Sequence, residues 1–380
     1  MKKILFKSGH TGFGGVERVQ TEYINYLHSI NANFKVVLDN DLGEQNVMNE
    51  NLKCPVIYLK NNEETLKFNN ARMNKNKNFF YKIKYNFAIS KNRKVLKKGF
   101  AKIVNDFKPE IMINYHDCYY FNMSKNTKNI VWVHSSIVNN WRELKNGLKY
   151  IKKLSKYDLI VCVSKGIVEE IVNLSPELKN KTTYLYNPIN FNRIEKLSNE
   201  EFTAEEVDFT NEKFLLMVSR IDTTQKDFPT LLKAYSIAKK NGYDGKLYII
   251  GNGDEKEKLI SLINNSEYKN DIKLLGGKTN PFQWMKKCDK FILSTKFEGL
   301  GNVLIEALSV NDTVISSDCK SGPNEILEYG KIGYLFSVGN VEELAKLILE
   351  AKPKNRDLIN ESLQRFDKKN IMLEFKNIID

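Results

Sequence analysis

The chain has little that would staple, anchor or metallate it. No apolar run approaches the ~20 residues that a membrane-crossing helix needs, and the longest pure runs are as short as Phe214–Val218. Cysteines number five, at 54, 118, 162, 288 and 319, with no CxxC spacing. That odd, scattered set excludes a disulfide framework and a zinc ribbon. There are four histidines and no HxxxH or HExxH pair, so a histidine-built metal centre is not expected. The glycine-rich turn after the first strand is not GxGxxG and no GK[ST] follows it, which argues against a nicotinamide-dependent dehydrogenase and a P-loop enzyme. The opening Met1-Lys2-Lys3-Ile4-Leu5-Phe6-Lys7 has too short an apolar core for a signal peptide, and Lys7 interrupts it. It reads as the first strand of a cytoplasmic protein.

What is present suits two ordinary α/β domains. A chain of 380 residues, 42% of them hydrophobic, is too long for one core and rich enough for two. Short apolar runs at 4–7, 34–38, 56–59, 111–114, 130–134 and 159–163 alternate with helical stretches. A second series follows at 214–218, 246–250, 272–275, 290–294 and 313–316. This alternation predicts two doubly wound parallel sheets covered by helices. The expected boundaries are a first domain over 1–186, a linker over 187–212, a second domain over 213–362 and a terminal helix over 363–380. Between two such domains the ligand crevice lies at the carboxyl ends of the strands.

The formal charge of +13 is uneven. Residues 67–108 hold 13 Lys or Arg against one acid, Asp106, interleaved with Phe68, Phe79, Phe80, Tyr81, Tyr85, Phe87 and Phe100. Apolar residues recur there at helical spacing, in Phe80, Ile83 and Phe87, then Leu96, Phe100, Ile103 and Val104. A basic amphipathic helix can lie on an anionic membrane surface. Lys91, Arg93, Lys94, Lys97 and Lys98 are the candidate contacts for a membrane or an acceptor. A solvated lysine face explains the same pattern. Nucleic acid is not expected as a partner, because no module signature accompanies the charge.

Four constellations follow strands. Gly9-His10-Thr11-Gly12-Phe13-Gly14-Gly15-Val16-Glu17-Arg18 turns into a helix, and Gly14 and Gly15 would let backbone N–H groups approach a phosphate. Arg220 and Lys226, after the first strand of the second domain, could hold two phosphates of a leaving diphosphate. Glu298 lies in a glycine-flanked loop, and Glu306 eight residues on among Leu304, Ile305 and Leu308. A carboxylate beside an apolar face needs a partner, and a pair of sugar hydroxyls is a suitable one. Between them, Gly299, Leu300, Gly301, Asn302 and Val303 form a helix start. His134 ends an apolar strand, with His10 and His116 as weaker candidates. Asp39-Asn40-Asp41 has the DxD form of a divalent-metal site, yet a turn rich in Asp and Asn is expected there anyway.

These elements together resemble glycosyltransferase family 4, the retaining GT-B enzymes. Glu298 to Glu306 fits the E-x7-E element, 214–226 the strand followed by Arg and Lys, and Ile249-Ile250-Gly251-Asn252-Gly253-Asp254 a glycine-bearing strand end. Gly14-Gly15-Val16-Glu17-Arg18 fits the first-domain loop, and 318–327 is similar to members building bacterial surface glycans with hexose or N-acetylhexosamine donors. The resemblance implies a GT-B fold whose terminal helix crosses back to the first domain. It implies that Arg220 and Lys226 hold the diphosphate, Glu306 the ribose and Glu298 the transferred sugar. Gly15 and Gly251 would lie at the donor, and His134 near the reacting centre.

It further implies a nucleotide-sugar donor, a UDP-sugar by preference, with no metal cofactor. The acceptor would be a glycan or lipid-linked one at the inner face of a membrane. Two positions depart from the pattern: Asp227 stands where glycine is usual, and Val310-Asn311-Asp312 replaces a small-residue, glycine and proline turn. The other readings are a sugar-nucleotide epimerase or a phosphorylase on the same fold, and a non-catalytic partner that binds membrane or polymer.

Overall fold

A computed structural model describes residues 2–12, 14–116, 126–137 and 144–380, with side chains from 147 onward in the last segment. Two parallel sheets organise the described residues. The first is ordered β3-β2-β1-β4-β5-β6-β7 and the second β10-β9-β8-β11-β12-β13. The first sheet comprises β1 (Lys3–Ser8), β2 (Asn33–Leu38), β3 (Val56–Tyr58), β4 (Ile111–Asn114), β5 (Lys128–Val133), β6 (Leu159–Cys162) and β7 (Thr182–Tyr184). The second comprises β8 (Phe214–Val218), β9 (Lys246–Ile250), β10 (Ile272–Leu274), β11 (Lys290–Leu293), β12 (Val314–Ser317) and β13 (Tyr334–Phe336). Helices cover both faces, so the central strands are buried on each side and their sequences are nearly continuous apolar runs. In β1, Lys3 is exposed and the next five residues are buried, Lys7 among them. Lys7 is tolerated there because its Nζ lies 3.1 Å from Asp39 Oδ2 at the end of β2.

The strand order reverses between β1 and β4 and again between β8 and β11. Those are the switch points where a crevice opens beyond the strand ends. The four constellations fall after β1, β5, β8 and β11, and the glycine-bearing strand end after β9.

Two differences from the sequence reading have simple causes. The edge strands β7 and β13 are three residues each, too short for a periodic signal. The stretch 187–212, read as linker, holds two helices, Phe191–Ser198 and Ala204–Thr210. They dock on the second domain, where Asn280 Nδ2 donates to Leu197 O at 2.8 Å and Lys278 pairs with Glu206 at 2.7 Å. The terminal helix Lys368–Ile379 returns to the first domain: the Phe375 ring lies 4.7 Å from Tyr23 and 6.0 Å from Trp132.

The basic segment forms two helices, Asn62–Asn74 and Phe79–Phe107. Leu96, Phe100, Val104 and Phe107 bury against Leu5, Val37 and Met112, the side of the sheet opposite Ile4 and Phe6. The first turns do not: Phe80 is 79% exposed and Phe87 is 73% exposed. Among the described residues no helix is long and apolar enough to cross a membrane.

Candidate functional site

Lys226 and Glu298 form the centre. Lys226 follows β8 and Glu298 follows β11, the two strands flanking the switch point of the second sheet. Lys226 Nζ donates to Glu298 Oε1, and both side chains are buried. Glu298 Oε2 accepts from Gln225 Nε2 at 3.2 Å. The loop carrying Lys226 is tied to the end of β11, since Asp227 N donates to Ser294 O at 3.0 Å. A buried charge pair held by hydrogen bonds on both sides is a rigid, preorganised group. Arg220, by contrast, stands at the mouth, 68% exposed along its side chain, 3.1 Å from Asp222.

The two departures from the family pattern are accounted for locally. Asp227 has ordinary negative φ and begins the helix Phe228–Lys240. Its Oδ2 accepts from Thr230 Oγ1 at 2.7 Å, so its charge is directed into the helix rather than toward Lys226. Asn311 fills a buried corner, its Nδ2 donating to the Met285 and Cys288 carbonyls at 3.0 and 2.9 Å. Asp312 pairs with Arg356.

The first domain closes over this centre. A Cβ on Gly299 would collide with the His134 carbonyl oxygen at the end of β5, so only glycine permits the approach. Gly15, which starts the helix Gly15–Ser29, is so placed that a Cβ would lie 4.0 Å from Asn302 Nδ2. Asn302 Oδ1 accepts from Asn187 Nδ2 at 2.8 Å. Arg18 Nη1 reaches Glu306 Oε1 at 3.0 Å. Further along the seam, Glu325 Oε2 accepts from Lys165 N at 3.1 Å and from the Tyr186 hydroxyl at 3.3 Å. Burial holds the Glu325 carboxyl above its usual range, and its Oε1 has no partner.

His134 is half-buried, and its Nε2 lies 2.6 Å from the Tyr115 carbonyl. A carbonyl only accepts, so Nε2 carries the proton. Burial pushes the imidazole pKa down to about 3, with the neighbouring His116 adding to the effect. A neutral ring protonated on Nε2 leaves its Nδ1 lone pair as a hydrogen-bond acceptor, and it neither takes up nor releases a proton near neutral pH.

The structure brings together Gly14, Gly15, His134, Lys226, Glu298, Gly299, Leu300, Gly301, Asn302, Val303 and Glu306, with Arg220 at the rim. Gly301 takes a left-handed φ of 94° at the start of the helix Asn302–Leu308. Leu300 and Val303 offer backbone to the site, for Leu300 is buried and Val303 packs on the core. Gly251 is placed differently. Its N–H donates to Gly276 O at 2.8 Å, and a Cβ would strike Ser219 O. Its part is to let β9 end beside β8. The DxD triplet is not a metal cradle here, because Asp39 is buried against Lys7 and Asp41 accepts from Gly43 N at 2.8 Å and Asn46 Nδ2 at 2.7 Å. Among the described residues no group of three or more His, Cys, Asp or Glu is placed to hold a metal ion.

The sequence reading missed two partners, Gln225 and Arg18. Arg18 stood within the quoted glycine loop, but nothing local marks a contact 288 residues away. Lys91, Arg93, Lys94, Lys97 and Lys98 are all exposed on the helix Phe79–Phe107 and belong to no part of this centre.

Two parallel-sheet domains with this crevice define the GT-B fold. Residues 198–371 match the family described as glycosyl transferases group 1. An uncharacterised glycosyltransferase of Methanocaldococcus jannaschii is 33% identical over 255 residues, 62% of this chain and 62% of that protein. An N-acetylgalactosamine-N,N'-diacetylbacillosaminyl-diphospho-undecaprenol 4-alpha-N-acetylgalactosaminyltransferase of Campylobacter jejuni is 34% identical over 202 residues, 53% of each chain. The chain thus spans 62% and 53% of the lengths of these two relatives. Among solved structures, Anabaena HepE in complex with UDP and glucose superposes with a TM-score of 0.75 at 17% identity, covering 100% of this chain and 99% of that one. The structural likeness shows the GT-B fold, and the sequence likeness to glycosyl transferases group 1 covers the second domain.

Proposed function

We propose that the protein is a retaining glycosyltransferase of family 4 that moves a hexose or N-acetylhexosamine from a UDP-sugar to a glycan or lipid-linked acceptor in bacterial surface-glycan or lipopolysaccharide synthesis. The carrying observation is the buried Lys226–Glu298 pair at the β8/β11 switch point, facing Gly15 and His134 of the first domain. The Campylobacter relative's name supports an N-acetylhexosamine and a lipid-linked acceptor. The UDP and glucose held by HepE support the donor.

In this reading the acceptor oxygen bonds to the anomeric carbon on the face from which the diphosphate leaves. The bond from that carbon to the diphosphate oxygen breaks, and the acceptor's hydroxyl proton passes to the departing oxygen. Charge grows on the diphosphate, and Lys226 and Arg220 stabilise it; each such contact contributes roughly 2.7–4 kcal/mol to the barrier. Two cations give this stabilisation without a divalent metal. Glu306 accepts the ribose diol. His134, neutral, accepts a sugar hydroxyl at Nδ1. Glu298 orients the transferred sugar and eases its cationic character. The protein works peripherally on an anionic membrane, through the basic helix Phe79–Phe107.

The test is nucleoside diphosphate release from UDP-, GDP- and ADP-sugars with EDTA present, with and without a membrane extract as acceptor source. Release from one donor that survives EDTA and falls in Glu298→Ala is expected. Conversion of donor without acceptor would favour an epimerase, and a requirement for inorganic phosphate a phosphorylase. No release under any condition would overturn the enzyme reading in favour of a binding partner.

A further inference from the structure

In the crevice proposed for the donor, the protein's own charges are paired with one another. Lys226 is paired with Glu298, Arg220 with Asp222, and Glu306 with Arg18. The first two pairs lie within the second domain, whereas the third joins the two domains across the seam. Arg18 sits on the first turn of the helix Gly15–Ser29, its N–H bonded to Gly14 O at 3.1 Å, and its guanidinium occupies the carboxylate that a ribose diol would take. Beside it, Glu17 folds back over the helix start, so close that a Cβ on Gly14 would collide with its carboxylate. Glu17 Oε1 also lies 3.7 Å from His10 Nδ1. Two consecutive side chains therefore cover the two seats of a nucleotide: a carboxylate over the helix N-terminus, where a phosphate is favoured, and a guanidinium on the acid.

We propose that Arg18 is a donor-exchange residue, and this rests on the donor site described above. It holds Glu306 while the crevice is empty and yields it when a ribose diol arrives. Its guanidinium then turns one helix turn toward Gly14 and Gly15 and binds the donor's diphosphate, for which a planar two-pronged donor is well matched. Since Arg18 and Glu306 come from different domains, the exchange couples nucleotide binding to the fit between them. Arg18 thus opposes a nucleoside, which competes for Glu306 and has no phosphate to offer. It favours a nucleoside diphosphate, which brings both.

The experiment compares uridine and UDP by calorimetric titration of the full chain, in wild type, Arg18→Ala and Arg18→Lys, with melting curves for each. The Arg18→Ala variant is expected to bind uridine about twofold to fivefold more tightly, as removal of a partly exposed ion pair allows. It is expected to bind UDP about tenfold or more weakly, as loss of a charged hydrogen bond requires. The Arg18→Lys variant should lie between in UDP affinity. This crossing of the two affinities is the signature, because a residue that only braced the seam would move both ligands in one direction. Both affinities weakening together, or neither changing, overturns the exchange. If wild type binds neither UDP, GDP nor ADP, the donor reading itself fails and the inference with it; binding of GDP or ADP alone moves the comparison to that nucleoside pair.

Discussion

Gly299 lies beneath the carbonyl of His134 at a distance that leaves no room for a methyl group. This contact sets the separation between the loop after β11 and the end of β5, and hence between Glu298 and the imidazole. Gly299→Ala must push the two apart. A misplacement of about 1 Å in a catalytic centre lowers turnover by roughly 100-fold. The expectation is a loss of that order in kcat with each domain still folded, checked by steady-state rates beside circular dichroism. Unchanged turnover would mean that the approach is not needed for reaction.

The Lys226–Glu298 pair separates a stability role from a catalytic one. Removing one member of a buried pair leaves an uncompensated charge and costs about 3–5 kcal/mol. Lys226→Met is therefore expected to lower Tm sharply and to reduce kcat about 100- to 1,000-fold, the loss typical of one transition-state charge partner. Adding Glu298→Gln to it removes the orphaned charge. The double variant should recover most of the Tm and none of the turnover. Recovery of both would show that Lys226 serves only to neutralise Glu298.

His134 is expected to leave no mark on the activity profile between pH 5 and 8, because its pKa has fallen to about 3 from an ordinary 6.5. Its mark falls on stability. Below pH 6.5 the unfolded chain takes up a proton that the folded protein refuses, so this residue's contribution is full above that value and is lost as the pH falls toward 3. His134→Gln keeps an N–H donor for the Tyr115 carbonyl and does not titrate. Its melting temperature should decline less steeply than that of wild type from pH 6.5 downward. Parallel decline would contradict a neutral imidazole.

The strands and both glutamates were legible because their signals are local. A parallel strand buried on two faces is written as a continuous apolar run, and Glu298 and Glu306 sit a fixed eight residues apart with glycines at the first. What those carboxylates touch was not legible. Lys226 is 72 residues from Glu298 and Arg18 is 288 from Glu306, and both pairings exist only once the sheets have placed their loops. The helix Phe79–Phe107 shows the same limit. Its period is the same in Phe80, Ile83 and Phe87 as in Leu96, Phe100 and Val104, yet only the second set meets the sheet. Periodicity reports a face and does not report what covers it. Asp227 stood out in the sequence as a departure from glycine, and what accommodates it was not legible either: the hydroxyl of Thr230 donates to its carboxylate.

Glu325 ties the two domains with a carboxyl whose pKa is raised by burial. The folded protein favours the protonated acid, so stability from this group is present at low pH and is lost as pH rises through the raised value. Glu325→Gln has no proton to lose. Its melting temperature is expected to exceed that of wild type at pH 8 and to converge with it as the pH falls below the carboxyl's raised range. A variant less stable than wild type at pH 8 would show that the ionised form is the one the seam requires.

The helix Phe79–Phe107 carries exposed aromatics in its first half and exposed cations on the outer side of its packed half, and the two contribute differently to a membrane contact. Each cation near an anionic surface contributes about 1 kcal/mol and is screened by salt, whereas aromatic burial is not. Lys94→Gln, Lys97→Gln and Lys98→Gln together should weaken binding to vesicles containing phosphatidylglycerol about 100-fold at low salt, and much less at 0.5 M salt. Phe80→Ser with Phe87→Ser should weaken it equally at both. Cosedimentation with vesicles of varied phosphatidylglycerol content reads both effects. If wild type binds no better to anionic than to neutral vesicles, the lysines form a solvated face, and the exposed Phe80 and Phe87 need another partner.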